Sequence, residues 1–475
     1  MSVEKAHSPA SRPADSGFPR LAAAALLALG FASAGPAAPE PGGWRELPSV
    51  LARIRPPSFP PRDYPITRFG ARPGSDATLA LARAIAACAR DGGGRVVVPS
   101  GRWPTGAIRL QSNVDLHLEE GATLAFSTRP SDYPLVGTRF EGVECTGFSP
   151  LIYASESENV AVSGSGVLDG CASDENWWSW AKGKGRRDQA DRQALFAMAE
   201  TGVPAGLRVF GPGHFLRPSF IEFVRCRNAE VEGVSIVRSP MWEIHPVLCQ
   251  NVTVLGVRVS SHGPNNDGCD PESCRGVLID GCVFDTGDDC IAIKSGRNAD
   301  GRRIGVPSED IVIRGCTMKD GHGGVTIGSE VSGGCRNVFV EGCTMDSPNL
   351  ARAFRIKSNA MRGGVIENVY ARGITIGAVE DAVLSIELLY EEGAAGGYPP
   401  VVRNINLNGV TSDRSRRVLR IESFRGAVVG AVSISGCRFR GVSEPDIVVG
   451  EAGVALADNV VEHGLPPLPQ SPHGT

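Results

Sequence analysis

The 475-residue sequence predicts an all-β parallel solenoid, a single-stranded β-helix with a short helical cap at its N-terminal end. Three observations carry this. A motif of polar residue, Asn, apolar, any, apolar, any, Gly recurs at 158–164, 227–233, 250–256, 336–342, 367–373 and 403–409. Its closing glycine, counted with looser copies, falls at 233, 256, 281, 315, 342, 373, 409, 436 and 464, a period of 23 to 36 residues typical of stacked repeats. Inside each copy the apolar residues alternate by two, the mark of a strand with one buried face. A short strand cannot bury that face alone, and stacking coil on coil closes a common core.

The elements follow in chain order. Residues 1–34 read as an export leader: polar to Arg20, apolar from Leu21 to Phe31, then Ala32-Ser33-Ala34 as a cleavage site. Its roughly 14 apolar residues are fewer than the ~20 needed to cross a bilayer. The mature chain is therefore expected without a membrane span, secreted or periplasmic. Residues 35–62 are proline-rich and read as a linker. The cap comes next, with Ser75 or Asp76 as N-cap, Leu81, Ile85 and Cys88 on one helical face, and Gly92-Gly93-Gly94 as the stop. Residues 63–464 form one elongated β-helical domain, and 465–475 a tail.

Within the coils, Asn159, Asn228, Asn251, Asn337, Asn368 and Asn404 each stand above a neighbour and are expected to bond turn backbone in a structural ladder. Cys282, Cys316, Cys343 and Cys437 follow repeat glycines, so the 13 cysteines read as small stacked core residues and not as a disulfide frame. Cys269 and Cys274 are close enough to pair. A net charge of −4 gives no reason to expect a nucleic-acid partner.

Four segments break the repeat with polar groups: Asn265-Asn266-Asp267-Gly268-Cys269-Asp270, Gly287-Asp288-Asp289, Gly321-His322-Gly323 and Arg355-Ile356-Lys357. They recur about once per coil, and residues one coil apart lie roughly 4.8 Å apart in space, so the four predict one patch on one face. Crowding Asp267, Asp288 and Asp289 raises the pKa of one carboxyl. A protonated acid beside ionised carboxylates is what glycosidic cleavage needs. Arg355 and Lys357, alternating by two, offer two cations to an anionic sugar. The competing reading of three aspartates is a Ca²⁺ site.

The four segments in this order resemble the signature of glycoside hydrolase family 28, the polygalacturonases, over about residues 65–464, including Trp242-Glu243-Ile244-His245-Pro246. The resemblance implies a right-handed parallel β-helix and cleavage of α-1,4 bonds between galacturonate residues with inversion. It needs no cofactor and no metal. It assigns Asp288 as general acid, Asp267 and Asp289 as holders and activators of water, and His322 as tuner of the acid. Arg355 and Lys357 would grip a galacturonate carboxylate, with Asn265 and Tyr390 as further substrate contacts. Asn266 departs from the family pattern, which often has Thr there. The interval from Asp289 to His322 carries an insertion, residues 295–303, resembling that of bacterial members that trim chain ends, and exo action is expected. The partner is then an acidic polysaccharide or oligogalacturonide, and the protein a monomer. The alternatives are a rhamnogalacturonan or xylogalacturonan hydrolase, a Ca²⁺-dependent pectate lyase, or a non-enzymatic β-helical adhesin. Trp177, Trp178 and Trp180 could stack on sugar or simply pack, and His245 reads as structural.

Overall fold

The computed structural model describes residues 42–464 of the chain. The expected leader and tail lie outside the described residues. Three faces of parallel strands wind into a β-helix. A thirteen-stranded sheet runs from Asp63–Pro65 to Ala452–Ala457, and a twelve-stranded one from Gly101–Thr105 to Val460–His463. The third face has four strands, ending at Ile244–Val247, and then six, beginning at Ile291–Ile293. Between them the coil around 267–272 makes only isolated bridges, Ile244 to Cys269 to Ile291 and Val247 to Glu272 to Lys294.

The period of the sequence appears as register. Val160, Ala229, Val252, Val277, Ile311, Val338, Val369 and Ile405 pair in one unbroken inward stack. Truncating one such side chain to Ala removes packing on two neighbours and costs about 2–4 kcal/mol.

The ladder asparagines have φ between 54° and 59°, the left-handed region that Asn tolerates. Their amides bond mainly one another: Asn228 Nδ2 donates to Asn159 Oδ1 at 2.9 Å, Asn251 to Asn228 at 2.7 Å and Asn404 to Asn368 at 2.7 Å, while Asn251 also donates to the Arg55 carbonyl at 2.8 Å and Asn337 to Asp310 Oδ1 at 3.1 Å. All 13 cysteines are free, so the Cys269–Cys274 pairing does not form.

Among the described residues, four α-helices decorate the coils. Helix α1, Leu47–Arg53, falls inside the stretch read as linker. Trp44, Leu47, Val50 and Ile54 pack there on Leu278, Val312, Phe339 and Tyr370, because the outer face of the thirteen-stranded sheet is apolar at those rungs and must be covered. Helix α2, Thr78–Arg90, is the cap and buries Leu81, Ile85 and Cys88. Its N-cap is Ala77, while Asp76 Oδ1 accepts from the Thr78 amide at 2.8 Å. Helix α3, Gln189–Glu200, lies in an insertion after the strand Val167–Asp169, and helix α4, Asn298–Ile304, takes up most of the segment inserted between Asp289 and His322.

These insertions dock on an antiparallel hairpin, Leu135–Phe140 and Val143–Phe148. Arg208 and Asp300, both almost wholly buried, pair at 2.8 Å, and Asp300 also accepts from the Glu144 amide at 3.1 Å. Arg297 lies 4.0 Å from the Phe196 ring centre. The result is a wall of hairpin, α3 and α4.

Candidate active site

The three turn segments lie where the chain passes from the twelve-stranded sheet to the third face, and Arg352–Lys357 is a strand of that face. Adjacent coils hydrogen-bond directly. The Asp288 amide donates to Asn266 O at 3.2 Å, the His322 amide to Asp288 O at 3.1 Å, and the Gly324 amide to Arg352 O at 2.9 Å. Thr326 pairs with Arg355 in the strand register. Asp267, Asp288, Asp289, His322, Arg355 and Lys357 therefore form one patch, with carboxylate oxygens of the three aspartates within 4.8 Å of one another.

Each carboxylate has a different environment. Asp289 is fully buried: its Oδ2 accepts from Lys357 Nζ at 2.7 Å, its Oδ1 from Thr326 Oγ1 at 2.9 Å, and Arg355 stands 3.9 Å away. Thr326 reaches it because residue 323 is glycine; a Cβ there would lie 2.2 Å from Thr326 Oγ1. Asp288 is partly exposed and bonds His322 Nδ1 at 2.9 Å. Burial pushes its carboxyl up, but His322, Lys357 and Lys294 outweigh that and hold it below the usual carboxylate range. Asp267 is buried, its Oδ1 has no hydrogen-bond partner, and burial with the charges of Asp270 and Asp288 pushes it well above that range. The crowding raises one carboxyl, as like charges should, but that carboxyl is Asp267 and not the acid assigned by resemblance, because His322 pairs with Asp288.

His322 itself is half exposed and raised, by Asp288 first. Arg355 also pairs with Glu387 at 2.9 Å, and the Tyr390 ring centre lies 5.6 Å from its guanidinium and 5.3 Å from Lys357 Nζ. Asn265 is positioned from behind by buried Arg217, which donates to its Oδ1 at 2.7 Å. Asn266 is wholly buried, accepting from Ser261 Oγ at 2.6 Å and the Gly263 amide at 2.8 Å, so its departure from Thr concerns local bonding alone.

Trp177 and Trp180 are buried against Tyr133, Phe148 and Phe215, and are packing residues. Trp178 is half-buried and donates to Ser239 O. His245 is held between Glu222 and Glu272 with no exposure. A second set of potential ligands, His262, Asp285 and Asp320, lies on the adjoining coils, but Asp320 is already engaged by Ser347 and Asn349. Around the three aspartates, Lys357, Lys294 and Arg355 supply the positive charge that a divalent cation would otherwise bring.

Sequence reasoning missed Thr326, Arg217, Glu387 and Lys294. Lys294 stands behind Asp267, with Nζ 3.7 Å from its carboxylate. The signal available for it was an outward charge on the otherwise apolar Ile291-Ala292-Ile293-Lys294 run, next to the aspartate pair.

The family profile described as glycosyl hydrolases family 28 matches residues 214–447. The solved exopolygalacturonase of Thermotoga maritima is 42% identical, covering 88% of this chain and 96% of that one with a TM-score of 0.85. A probable polygalacturonase of Vitis vinifera is 27% identical over 362 residues, 72% of this chain and 67% of that protein. An exo-poly-alpha-D-galacturonosidase of Dickeya chrysanthemi is 26% identical over 359 residues, 70% of this chain and 58% of the longer relative.

Proposed function

The chain belongs to glycoside hydrolase family 28, and from that premise we propose that it hydrolyses α-1,4 bonds of polygalacturonate from the chain end, with inversion at the anomeric carbon. The observation that carries the reading is the three-aspartate cluster beside two largely buried cations on neighbouring rungs. Asp288, the most exposed of the three, protonates the leaving oxygen. Asp267 and Asp289 hold and deprotonate the attacking water. Arg355 and Lys357 grip a galacturonate carboxylate, and Asn265 and Tyr390 complete the sugar contacts.

Asp288 must carry a proton to act as acid, yet His322 and Lys357 hold it ionised in the free protein. A substrate carboxylate on Lys357 offsets one of those cations and lets the proton pass to Asp288. Exo action follows from the wall of hairpin, α3 and α4, which carries Arg297 against Glu330 beside the site.

The three carboxylates crowd closely together. Oxygens within 4.8 Å are closer than the ~6.5–9.5 Å between carboxyl groups of most inverting pairs. Inversion is favoured here because both oxygens of Asp289 are engaged by Lys357 and Thr326, which suits it to hold water and not to attack carbon. Polygalacturonate does not cross a bilayer, so the same reading puts the protein outside the cytoplasm.

The test is product analysis on polygalacturonic acid by chromatography and proton NMR. Galacturonate monomer appearing first as the β-anomer, with no unsaturated product and no loss of rate in EDTA, is expected. Asp288→Asn should lower kcat about a thousand-fold while substrate still binds. An α-anomer first, or an unsaturated product, overturns the mechanism.

A further inference from the structure

Asp289 has its own cation in Lys357, and the other water-holding carboxylate has one too. Lys294 is the one cation paired with Asp267 among the described residues. Its ammonium lies 3.7 Å from Asp267, 3.3 Å from Asp270, 3.4 Å from Glu330 and 4.5 Å from the centre of the Trp242 ring, with almost no exposure. Glu272, its neighbour on the adjoining rung, is engaged by Arg139 and His245. Glu330 is held from its far side by Arg297 of the inserted segment.

We propose that Lys294 is a positioning residue that decides which aspartate carries the proton shared by Asp267 and Asp288. The inference rests on the acid and base roles given above. One proton is shared by two carboxylates, and the productive arrangement puts it on Asp288 with Asp267 ionised. Protonated His322, 2.9 Å from Asp288, favours the opposite arrangement by stabilising charge on Asp288. Lys294 favours charge on both aspartates, but its ammonium stands directly behind Asp267 at 3.7 Å, so it favours charge there more strongly and opposes His322. Glu330 weakens that pull, because it and Asp270 share the same ammonium. Through Arg297 and Glu330 the inserted segment therefore reaches the base.

The test is the pH profile of kcat on polygalacturonic acid for Lys294→Met, Lys294→Arg and Glu330→Gln. In Lys294→Met the acid limb, where the base must lose its proton, should move up by about one pH unit or more. At neutral pH kcat should fall about 100-fold with KM within about threefold. Lys294→Arg should restore the limb, and Glu330→Gln should move it down, opposite in sign to Lys294→Met. If Lys294→Met fails to fold by circular dichroism, the other two variants still decide. A carboxyl ¹³C NMR titration, with Asp267 assigned by loss of its signal in Asp267→Asn, reads the same ordering without turnover. A lowered kcat with an unmoved limb, or equal shifts in Lys294→Met and Glu330→Gln, overturns the proposal. Failure of the wild-type protein to release galacturonate would overturn the function instead, and the NMR ordering would still stand or fall alone.

Discussion

At the scale of single residues, the molecule puts ionisable groups where water cannot compensate them, and each is answered by a specific partner. His245 illustrates the energetic weight of this. Burial alone would lower its pKa, but Glu222 and Glu272 raise it to about 9. The unfolded value is ~6.5, so the stabilisation is fully present below that pH and is lost as pH rises through about 9; the difference is about 3 kcal/mol. The stability gap between wild type and His245→Gln, measured by denaturant melts, should therefore be larger at pH 6 than at pH 10 by about that amount. A gap independent of pH would mean the imidazole is not charged in the fold. The same logic governs the aspartates: burial pushes Asp267 and Asp288 up alike on adjoining rungs, but His322, Lys357 and Lys294 outweigh it at Asp288 while Asp270 and Asp288 add to it at Asp267.

At the scale of elements, the proposed exo action rests on the wall of hairpin, α3 and α4. Its parts come from distant stretches of chain and are joined by buried ions: Arg139 to Glu272, Arg208 to Asp300, and Arg192 to Glu141. Removing one partner alone would strand a buried charge at a cost of about 3–5 kcal/mol. A cleaner probe replaces 297–305 with a short turn and adds Arg208→Met, so that no buried charge is left unpaired. Chromatography of the products from polygalacturonate should then show mixed oligomers in place of monomer. Monomer as the sole product of the opened variant would deny the wall its role.

At the scale of the whole molecule, what could be read from the sequence divides along a physical line. A solenoid stores its third dimension in a sequence period, so the inward stack from Val160 to Ile405 and the coming together of Asp267, Asp288, His322 and Lys357 were legible from spacing. The insertions obey no period. Arg208 meets Asp300 across 92 positions and Arg139 meets Glu272 across 133, and nothing local in either segment announces the contact. Helix α1 was hidden for a related reason: its prolines read as linker, while the apolar groove that orders it is built from residues more than 200 positions later. Proton placement was illegible because it depends on burial and on Lys294, a side chain that looks in sequence like any outward lysine.

The free thiols of the coils carry a consequence for how the protein can be handled and made. Twelve of the 13 are sealed in the interior, and Cys171 alone is partly reachable. A maleimide reagent should thus label one site per native chain and 13 per denatured chain, counted by intact mass, giving a direct census of unfolded material. Labelling of several sites under native conditions would mean that the coils breathe. With the thiols sealed and unbridged, a reducing agent should leave the native fold and its single labelling site unchanged.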